Sequence, residues 1–337
     1  MDPVRKRAKR PAICIITPTL RDSNSGNWHT AARWARFLRP VCRVQVLQQW
    51  HGEPCDALIA LHARRSAASI AAFHATHPQR GLALVLTGTD LYRDIRRNRV
   101  AQRSLQLATE LVVLQERGPA ALPARLRRKA RVIFQSAPQL GASTGHQRRF
   151  DVAVVGHLRH VKDPLLAMRV ARAVKPETRV RVLHAGAALE PRYAAAARRT
   201  EAATPRYAWL GELTRSRARA LMRRAAVLLH PSRMEGGAQA IIEAIRSGTP
   251  VIASDADGNR GLLGKDYPGL FPVGDAGAAT RLIERAATDA KFLRLLAARC
   301  RERARLFTPE RERAAVQRLL RTLLHNRRLT DGRRMQR

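Results

Sequence analysis

Aromatic residues, cysteines and long apolar runs are scarce in this 337-residue chain, and each scarcity excludes a class of protein. Aromatic residues make up 4% of the sequence, too few for a surface that stacks nucleic-acid bases. The four cysteines (Cys14, Cys42, Cys55 and Cys300) form no Cys-x-x-Cys pair, so neither a disulfide framework nor a zinc site is indicated. No apolar run approaches the roughly 18 residues of a membrane span, and the basic segment Met1–Arg10 lacks the following apolar stretch of a signal peptide. The sequence therefore predicts a protein of a reducing cytoplasm.

Lysine is also scarce, and this bears on the meaning of the net charge of +37. Only seven of the 63 basic residues are lysine, and the arginines are spread over every part of the chain rather than gathered in one stripe. The motif spacings of RRM, KH and zinc-finger domains do not occur, so we expect no specific nucleic-acid partner. The charge is instead expected to favour anionic substrates by electrostatic steering. None of these patterns indicates an oligomeric state.

Strand-like apolar runs alternate with helical patterns along the chain, which predicts parallel sheets built from βαβ units. The length and the 45% hydrophobic content suit two domains, each with its own core. We predict an α/β fold with Rossmann-like domains over residues 1–145 and 146–305. Residues 308–310 (Thr-Pro-Glu) are typical of a helix start, so we predict a C-terminal helix over residues 306–325. Residues 326–337 are predicted to be a basic tail.

The most informative stretch of the sequence lies between residues 226 and 254. An apolar strand is followed by a polar turn, and Gly236-Gly237 then opens a helix that ends at Gly248. Glycines let a ligand approach the backbone, and the amide groups of a helix start suit a diphosphate. Glu235 and Glu243, with seven residues between them, can accept hydrogen bonds from the hydroxyl groups of a sugar and of a ribose. The alternative is an ordinary βα unit with a glycine-rich turn and two solvated acids.

This Glu-x7-Glu element resembles that of retaining, family-4-type glycosyltransferases of the GT-B fold. In that fold two Rossmann-like domains face each other across a cleft, and a closing C-terminal helix, expected here over residues 306–325, packs back on the first domain. The turn at residues 156–164 is similar to a turn that in this family reads Gly-Arg-Leu, with a lysine about five positions later, where both cations hold the diphosphate. Lys162 matches the lysine, whereas His157 stands where arginine is usual, so Arg159 is expected to share that task. Leu213 resembles the residue at the uracil contact. The alternatives are a solvated lysine and a core leucine.

The first half of the chain is expected to carry the acceptor. A strand leads into Arg64-Arg65-Ser66 at a helix start, where two guanidinium groups, amide groups and a hydroxyl form a plausible oxyanion site. The turn Thr87-Gly88-Thr89-Asp90 follows another strand, at the end where ligands bind in open α/β sheets. Gly26-Asn27-Trp28 resembles the glycine loop below the donor diphosphate. The alternatives are a pair of exposed arginines and, for Trp28, a residue at the edge of the core.

Longer blocks resemble a narrower family, the bacterial selenosugar synthases of selenoneine biosynthesis. The similarity extends from about Ile13 to Leu324, and the Thr-Gly-Thr-Asp-Leu-Tyr and Ser-Arg-Met-Glu-Gly-Gly blocks are its most particular parts. The blocks that carry it are Gly26–Trp28, Leu61–Ala68, Leu86–Asp94, His230–Gly237 and Asp257–Asn259. The resemblance implies transfer of a sugar from a UDP-sugar, typically UDP-N-acetylglucosamine, to selenophosphate. The product is a 1-seleno-sugar, and the UDP-sugar is a co-substrate with no metal or other cofactor.

The resemblance also implies roles for individual residues. The catalytic set, expected beside the transferred sugar or the attacking atom, comprises Glu235, Asp90 and Thr89. The donor-binding set comprises Gly26, Asn27, His157, Arg159, Lys162, Leu213, Gly236, Gly237, Ala238 and Glu243. The acceptor-binding set comprises Arg64, Arg65, Ser66, Thr87, Gly88, Trp28 and Arg233.

Three other functions stay open from the sequence. A UDP-sugar glycosyltransferase could act on a lipid, a glycan or another small molecule, although no amphipathic helix rich in large apolar residues suggests a lipid surface. A GT-B sugar-nucleotide epimerase would also place acids and histidines in a cleft. A non-enzymatic polyanion-binding protein would use the positive charge alone, and UDP would then not affect its stability.

Overall fold

The computed structural model describes residues 10–20, 26–141 and 149–334. Most of the basic N-terminal segment, residues 142–148 between the two predicted domains and the last three residues of the predicted tail lie outside the described residues. The chain forms two compact units. Unit 1 comprises Met1–Leu114, Pro119–Ile133 and Glu312–Arg337, and unit 2 comprises Gln115–Gly118 and Phe134–Arg311.

Unit 1 contains a six-stranded sheet in which every recorded pairing is parallel. Its strands are β1 (Ala12–Ile16), β2 (Arg43–Leu47), β3 (Ala57–Leu61), β4 (Gly81–Leu86), β5 (Glu110–Val113) and β6 (Ala130–Val132). The strand order is β2-β1-β3-β4-β5-β6. The chain therefore reverses its direction of travel across the sheet between β1 and β3, and this switch point is where ligands bind in open α/β sheets.

The helices of unit 1 connect these strands. They are α1 (Gly26–Leu38), α2 (Ala67–Thr76), α3 (Ile95–Arg97) and α4 (Arg99–Leu107), with a π-helical turn at Asp90–Asp94 and 3₁₀ turns at Gly118–Ala121 and Ala124–Lys129. Strands β3 and β4 are buried at every position, because helices cover both faces of a parallel sheet. Alternate strand residues face opposite cores: Ile13 and Ile15 pack with Trp34 of α1, whereas Cys14 and Ile16 pack in the cluster that contains Phe73 of α2.

The last helix, α12 (Pro309–Arg334), contributes to the core of unit 1. Val316, Leu319, Leu320 and Leu323 are buried there. The helix approaches β4 closely, because a Cβ atom at Gly81 would lie 2.4 Å from the backbone oxygen of Leu323. This helix is longer than the sequence predicted, since it continues to Arg334 instead of ending near residue 325.

Unit 2 contains a second six-stranded parallel sheet. Its strands are β7 (Phe150–Val155), β8 (Val180–Ala185), β9 (Tyr207–Trp209), β10 (Val227–His230), β11 (Val251–Ser254) and β12 (Leu270–Phe271). The order β12-β11-β10-β7-β8-β9 is the doubly wound Rossmann order, with its switch point between β7 and β10. The predicted α/β architecture of two parallel sheets is confirmed.

The helices of unit 2 lie between its strands. They are α5 (Pro164–Ala173), α6 (Pro191–Ala203), α7 (Arg215–Arg224), α8 (Gln239–Arg246), α9 (Asp257–Leu263), α10 (Ala276–Thr288) and α11 (Ala290–Ala304), with 3₁₀ turns at His160–Lys162, Pro176–Thr178 and Arg305–Phe307. Their apolar faces and the buried strands form one continuous core. In the parts of the chain that the structure describes, no helix is both long enough and apolar enough to cross a membrane.

Candidate active site

The switch point of unit 2 brings together two loops that are distant in sequence. Strands β7 and β10 are hydrogen-bonded neighbours, so the turn at Gly156–Asp163 and the loop at Pro231–Ala238 leave the sheet at the same edge. The amide of Arg233 donates a hydrogen bond to the carbonyl oxygen of Val161 over 2.9 Å, which ties the two loops directly. Parallel pairing of buried apolar strands therefore sets the distance between the side chains that these loops carry.

Glu235 is the centre of a charged cluster at this edge. Its side chain is buried, and its Oε1 atom pairs with the Nζ atom of Lys162. The same oxygen lies 3.1 Å from the Nε2 atom of His230, the last residue of β10. The sequence predicted Glu235 and Lys162 as site residues separately, and the structure places them in contact. His230 was not predicted, although it stands at the end of a buried strand, five residues before Glu235.

The electrostatics of the cluster keep Glu235 ionised. Burial acts to raise the pKa of the Glu235 carboxyl, but the charge of Lys162 and the hydrogen bond with His230 outweigh it, so the pKa lies below its ordinary value. Burial also lowers the pKa of His230. A neutral His230 that is protonated on Nε2 then donates to Glu235. The carboxylate is thus a fixed negative charge that one cation and one neutral donor orient.

Close backbone contacts support both loops. A Cβ atom at Gly258, in the first turn of α9, would lie 1.9 Å from the carbonyl oxygen of Glu235. A Cβ atom at Gly186, where φ is +156°, would lie 2.0 Å from the carbonyl oxygen of Gly156. Only glycine fits such contacts without a backbone shift. The glycines of this edge therefore allow its loops to pack against each other.

Helix α8 starts later than the sequence predicted. Its first residue is Gln239, with Ala238 at the N-cap position, so Gly236 and Gly237 belong to the preceding loop. Among the described residues, no side chain caps this helix start. Uncapped amide groups and the positive end of the helix dipole are suited to an anion.

Glu243 lies inside α8 and is buried. Its Oε1 atom accepts hydrogen bonds from the Nε atom of Arg215 over 2.8 Å and from the Nε2 atom of Gln239 over 3.4 Å. Arg215, the first residue of α7, was not predicted, because one arginine in so arginine-rich a chain carries no signal of its own. Glu235 and Glu243 thus have different partners: a lysine and a histidine for the first, an arginine for the second.

The other donor-side predictions fall on neighbouring turns. His157 is half-buried, and its Nδ1 atom is buried without a hydrogen-bond partner among the described residues. Arg159 is exposed. Leu213 is half-buried and packs on the core of unit 2, and its contact with the uracil stays a prediction. Arg233, predicted to bind the acceptor, is also in unit 2, where its Nη2 atom lies 2.7 Å from Oδ2 of Asp163.

In unit 1, Asp90 organises the turn that carries it. The side chain is fully buried, and Oδ1 accepts hydrogen bonds from the amides of Thr87 and Gly88, each over 2.9 Å. Its Oδ2 atom accepts from the amide of Ala63 over 3.0 Å. Both carboxylate oxygens are thus engaged with backbone donors. These contacts support a positioning role for Asp90. Its catalytic role stays a prediction.

His62 and Asp94 join the two predicted acceptor loops. His62 is buried with a φ of 75°, a strained backbone conformation for a residue other than glycine. Its Nε2 atom lies 3.3 Å from the Thr89 hydroxyl, and burial lowers its pKa. Asp94 is buried and lies 3.1 Å from the Nε atoms of both Arg64 and Arg93. Three residues of this cluster were not predicted as site residues, although all lie inside the blocks that carry the resemblance: His62, Asp94 and Arg93.

The remaining unit 1 predictions differ in accessibility. Arg65 is exposed, whereas Ser66 is buried and donates its hydroxyl to the carbonyl oxygen of Leu61 over 2.6 Å. The Ser66 hydroxyl can therefore accept a hydrogen bond from a ligand but has no proton left to donate to it. Gly26 begins α1 and is exposed, and Asn27 and Trp28 are half-buried in its first turn.

Comparison with known proteins identifies unit 2. Residues 141–307 match the family Glycosyl transferases group 1. Unit 2 is a glycosyltransferase group 1 domain. Over 64 residues the chain is also 39% identical to the protein CapJ of Staphylococcus aureus, a match that spans 19% of this chain and 16% of that relative.

Solved structures extend the likeness to the whole glycosyltransferase fold. Anabaena HepE, solved in complex with UDP and glucose, superposes with a TM-score of 0.75 at 15% identity, covering 93% of this chain and 100% of that one. Sucrose-phosphate synthase of Thermosynechococcus elongatus gives 0.73 at 16% identity, covering 94% and 100%. The pneumococcal O-GlcNAc transferase GtfA gives 0.65 at 17% identity, covering 80% and 57%. The predicted GT-B fold class, with two Rossmann-like domains, is confirmed.

No group of three or more histidine, cysteine, aspartate or glutamate side chains that could hold a metal ion occurs in residues 10–20, 26–141 and 149–334. Metal independence stays a prediction.

Proposed function

We propose that the chain is a UDP-sugar glycosyltransferase that joins selenophosphate to the anomeric carbon of UDP-N-acetylglucosamine, making a 1-seleno-sugar for selenoneine biosynthesis. The observation that carries the proposal is the contact between Glu235 and Lys162 at the switch point of a glycosyltransferase group 1 domain, with Glu243 on the adjoining helix. The choice of selenophosphate as the acceptor rests on the similarity of the sequence blocks to selenosugar synthases.

The donor half of the proposal follows from the charges in unit 2. The ammonium group of Lys162 has three N–H donors, so it can stay paired with Glu235 and also donate a hydrogen bond to a diphosphate oxygen. The uncapped start of α8 supplies further donors to the departing UDP. The Glu235 carboxylate accepts a hydrogen bond from a hydroxyl group of the sugar, and the Glu243 carboxylate accepts hydrogen bonds from the ribose hydroxyls. The contacts that the structure records for the Glu243 carboxylate are to Oε1, which leaves Oε2 for the ribose. HepE, a structural neighbour, is solved with UDP and glucose, which agrees with a UDP-sugar donor.

The acceptor half follows from the positive groups of unit 1. Selenophosphate is a small polyanion with a soft nucleophilic selenium, so the enzyme has to position it rather than remove a proton from it. Arg64, Arg65 and Arg93 are the groups proposed to hold its oxygens, with Asp94 fixing two of them. In the step, selenium donates an electron pair to form the Se–C1 bond while the C1–O bond to the diphosphate breaks and its electron pair leaves with UDP.

The proposed reaction uses no metal ion. Charge on the departing diphosphate is balanced by Lys162, the α8 amides and Arg159, which together take the place of a divalent cation. A direct check is the rate of UDP release after exhaustive treatment with EDTA. The rate is expected to stay within twofold of that of the untreated protein, roughly the limit of the assay, and recovery only on addition of Mg²⁺ or Mn²⁺ would contradict metal independence.

The experiment that tests the proposal is a product analysis. Purified protein with UDP-N-acetylglucosamine and freshly made selenophosphate is expected to release UDP and to form a seleno-sugar that mass spectrometry detects by the selenium isotope pattern. Inorganic phosphate is the matched control acceptor and should not support UDP release. Transfer to a lipid or glycan extract, with no seleno-sugar, would reject the acceptor and favour the alternative transferase. Tight nucleic-acid binding with no effect of UDP on Tm would favour a polyanion-binding protein.

Glu243→Ala is expected to weaken UDP binding by roughly 1.5–3 kcal/mol, because charge-assisted hydrogen bonds to the ribose are lost. Isothermal titration with UDP measures the effect. Arg215, whose side chain is 41% exposed, can turn towards solvent in the variant, so the fold should persist. Glu302→Ala, which removes an exposed carboxylate of the same unit, is the control. An unchanged Kd for UDP in a folded Glu243→Ala protein would remove this residue from the donor site.

The double variant Arg64→Ala/Arg65→Ala is expected to raise the KM for selenophosphate by about tenfold or more, because two charged contacts to the anion are lost. Its Kd for UDP should change little, since Lys162 and Glu243 lie in the other unit. Arg96→Ala/Arg97→Ala removes the same charge from exposed positions of unit 1 and is the matched control. An equal rise in KM for both double variants would mean that the effect is one of net charge alone.

A further inference from the structure

A cavity of about 480 Å³ lies between α5 and α6 of unit 2. Positions 165, 168, 169 and 172 of α5 and positions 196, 199 and 200 of α6 line it. Spacings of three and four residues place side chains on one face of a helix, so two facing helix stripes form the walls. The roles proposed above for Glu235 and Glu243 make no use of these stripes.

The walls of the cavity are strongly positive. Four arginines line it: Arg169, Arg172, Arg199 and Arg233. The lining contains a single carboxylate, Asp163, whose Oδ2 atom lies 2.7 Å from Nη2 of Arg233. Within the described residues, the structure records no ion pair for the other three arginines. Arginines are common on this chain and these four are exposed to solvent, but together they border one concave space.

The cavity also offers apolar contact and one fixed hydrogen-bonding group. Leu165 and Met168 contribute apolar surface. Arg172 donates from Nη2 to the Thr200 hydroxyl over 2.6 Å, and Thr200 in turn donates to a carbonyl oxygen of its own helix. This contact holds one guanidinium group against the wall of the cavity. A planar guanidinium in a fixed orientation is suited to two oxygens of a phosphate.

We propose that this cavity is a second ligand site, which binds a small molecule with a phosphate group and an apolar part. The arginines would bind the phosphate group, and Leu165 and Met168 would contact the apolar part. The site also adjoins the candidate active site, because Asp163 follows Lys162 directly and Arg233 lies two residues before Glu235. An anion that competes with Asp163 for Arg233 therefore changes the contacts of the loop that carries Glu235.

Phenyl phosphate is a suitable probe, because it combines the two chemical features and is neither donor nor acceptor in the proposed reaction. Isothermal titration of the full chain is expected to show one site, with weaker binding of inorganic phosphate and of phenol. Arg169→Gln/Arg199→Gln should weaken phenyl phosphate binding by about tenfold or more, as expected for the loss of two charged contacts. Arg223→Gln/Arg224→Gln, two exposed arginines of α7, is the charge-matched control and should leave the Kd unchanged.

Equal weakening in both double variants, or loss of binding only in Arg64→Ala/Arg65→Ala, would overturn the proposed site. The link to the active site has its own readout, the Kd for UDP at saturating phenyl phosphate. We expect a shift in the wild-type chain and none in Arg169→Gln/Arg199→Gln. Binding without such a shift would keep the site and reject the link. Neither titration depends on the proposed acceptor, so a negative product analysis leaves this proposal intact.

Discussion

Glu235→Gln is expected to lower kcat for UDP release by about 10²–10³-fold, the usual effect of removing one oriented electrostatic group from an active site. The glutamine keeps the shape of the side chain and can still accept the hydrogen bond from His230. It loses the charge that pairs with Lys162 and that is proposed to act on the transferring sugar. Steady-state kinetics with UDP-N-acetylglucosamine and selenophosphate measure the change.

The Kd for UDP separates this effect from a loss of the donor site. We expect it to change only slightly in Glu235→Gln, because the uridine contacts are proposed to involve Leu213 and Glu243. Glu302→Gln, on an exposed face of α11, controls for the change of net charge. A kcat that stays within about threefold of wild type would mean that Glu235 holds Lys162 in place without acting on the sugar.

Glu312→Ala is expected to lower the free energy of unfolding of unit 1 by roughly 3–5 kcal/mol, because it leaves one charge of a buried pair without its partner. Glu312 of α12 is buried and accepts hydrogen bonds from Nε of Arg33 and from Nε1 of Trp34, each over 2.8 Å. The two terminal nitrogens of Arg33 are buried without hydrogen-bond partners among the described residues. The variant would therefore leave the buried guanidinium group of Arg33 without its carboxylate partner.

Urea unfolding followed by tryptophan fluorescence can measure this change selectively. Three of the four tryptophans, Trp28, Trp34 and Trp50, lie in unit 1, and only Trp209 lies in unit 2. Arg321→Ala, at an exposed position of the same helix, is the control and should cost less than about 0.5 kcal/mol. If both variants shifted the transition equally, the ion pair would contribute nothing specific to the stability of unit 1.

The sheets were predictable because their strands are short apolar runs that are buried on both faces. The segments Ala57–Leu61 and Val227–His230 show this pattern in the sequence and are strands β3 and β10 in the structure. Helix ends were less predictable. Gly236-Gly237 suggested the start of α8. The loop whose Glu235 pairs with Lys162 instead continues to Ala238, and the helix begins at Gln239. The apolar face of α12 gave no sign of where the helix ends, so its continuation to Arg334 was missed.

The candidate site was predictable residue by residue, but its pairings were not. Lys162 and Glu235 are 73 residues apart, and only the adjacency of β7 and β10 makes them partners. From its position in a turn after a strand, Asp90 was predicted to lie beside the transferred sugar or the attacking atom. Its carboxylate instead turns back onto the amides of its own turn and of Ala63, a contact that requires β3 and β4 to lie side by side. Such contacts depend on tertiary neighbours that the local sequence does not specify.

The return of α12 to unit 1 sets an order of events during synthesis. The sequence of unit 2 is complete at Arg311, whereas the core of unit 1 still lacks Val316, Leu319, Leu320 and Leu323. A ribosome therefore finishes the second unit while the face of the first sheet that contains Ile13 and Ile15 has α1 over it but still lacks α12. Apolar surface that stays uncovered in a growing chain is a target for chaperones and a cause of aggregation. The amino-terminal half of this protein should consequently be the part that is destabilised most when translation stops before Val316.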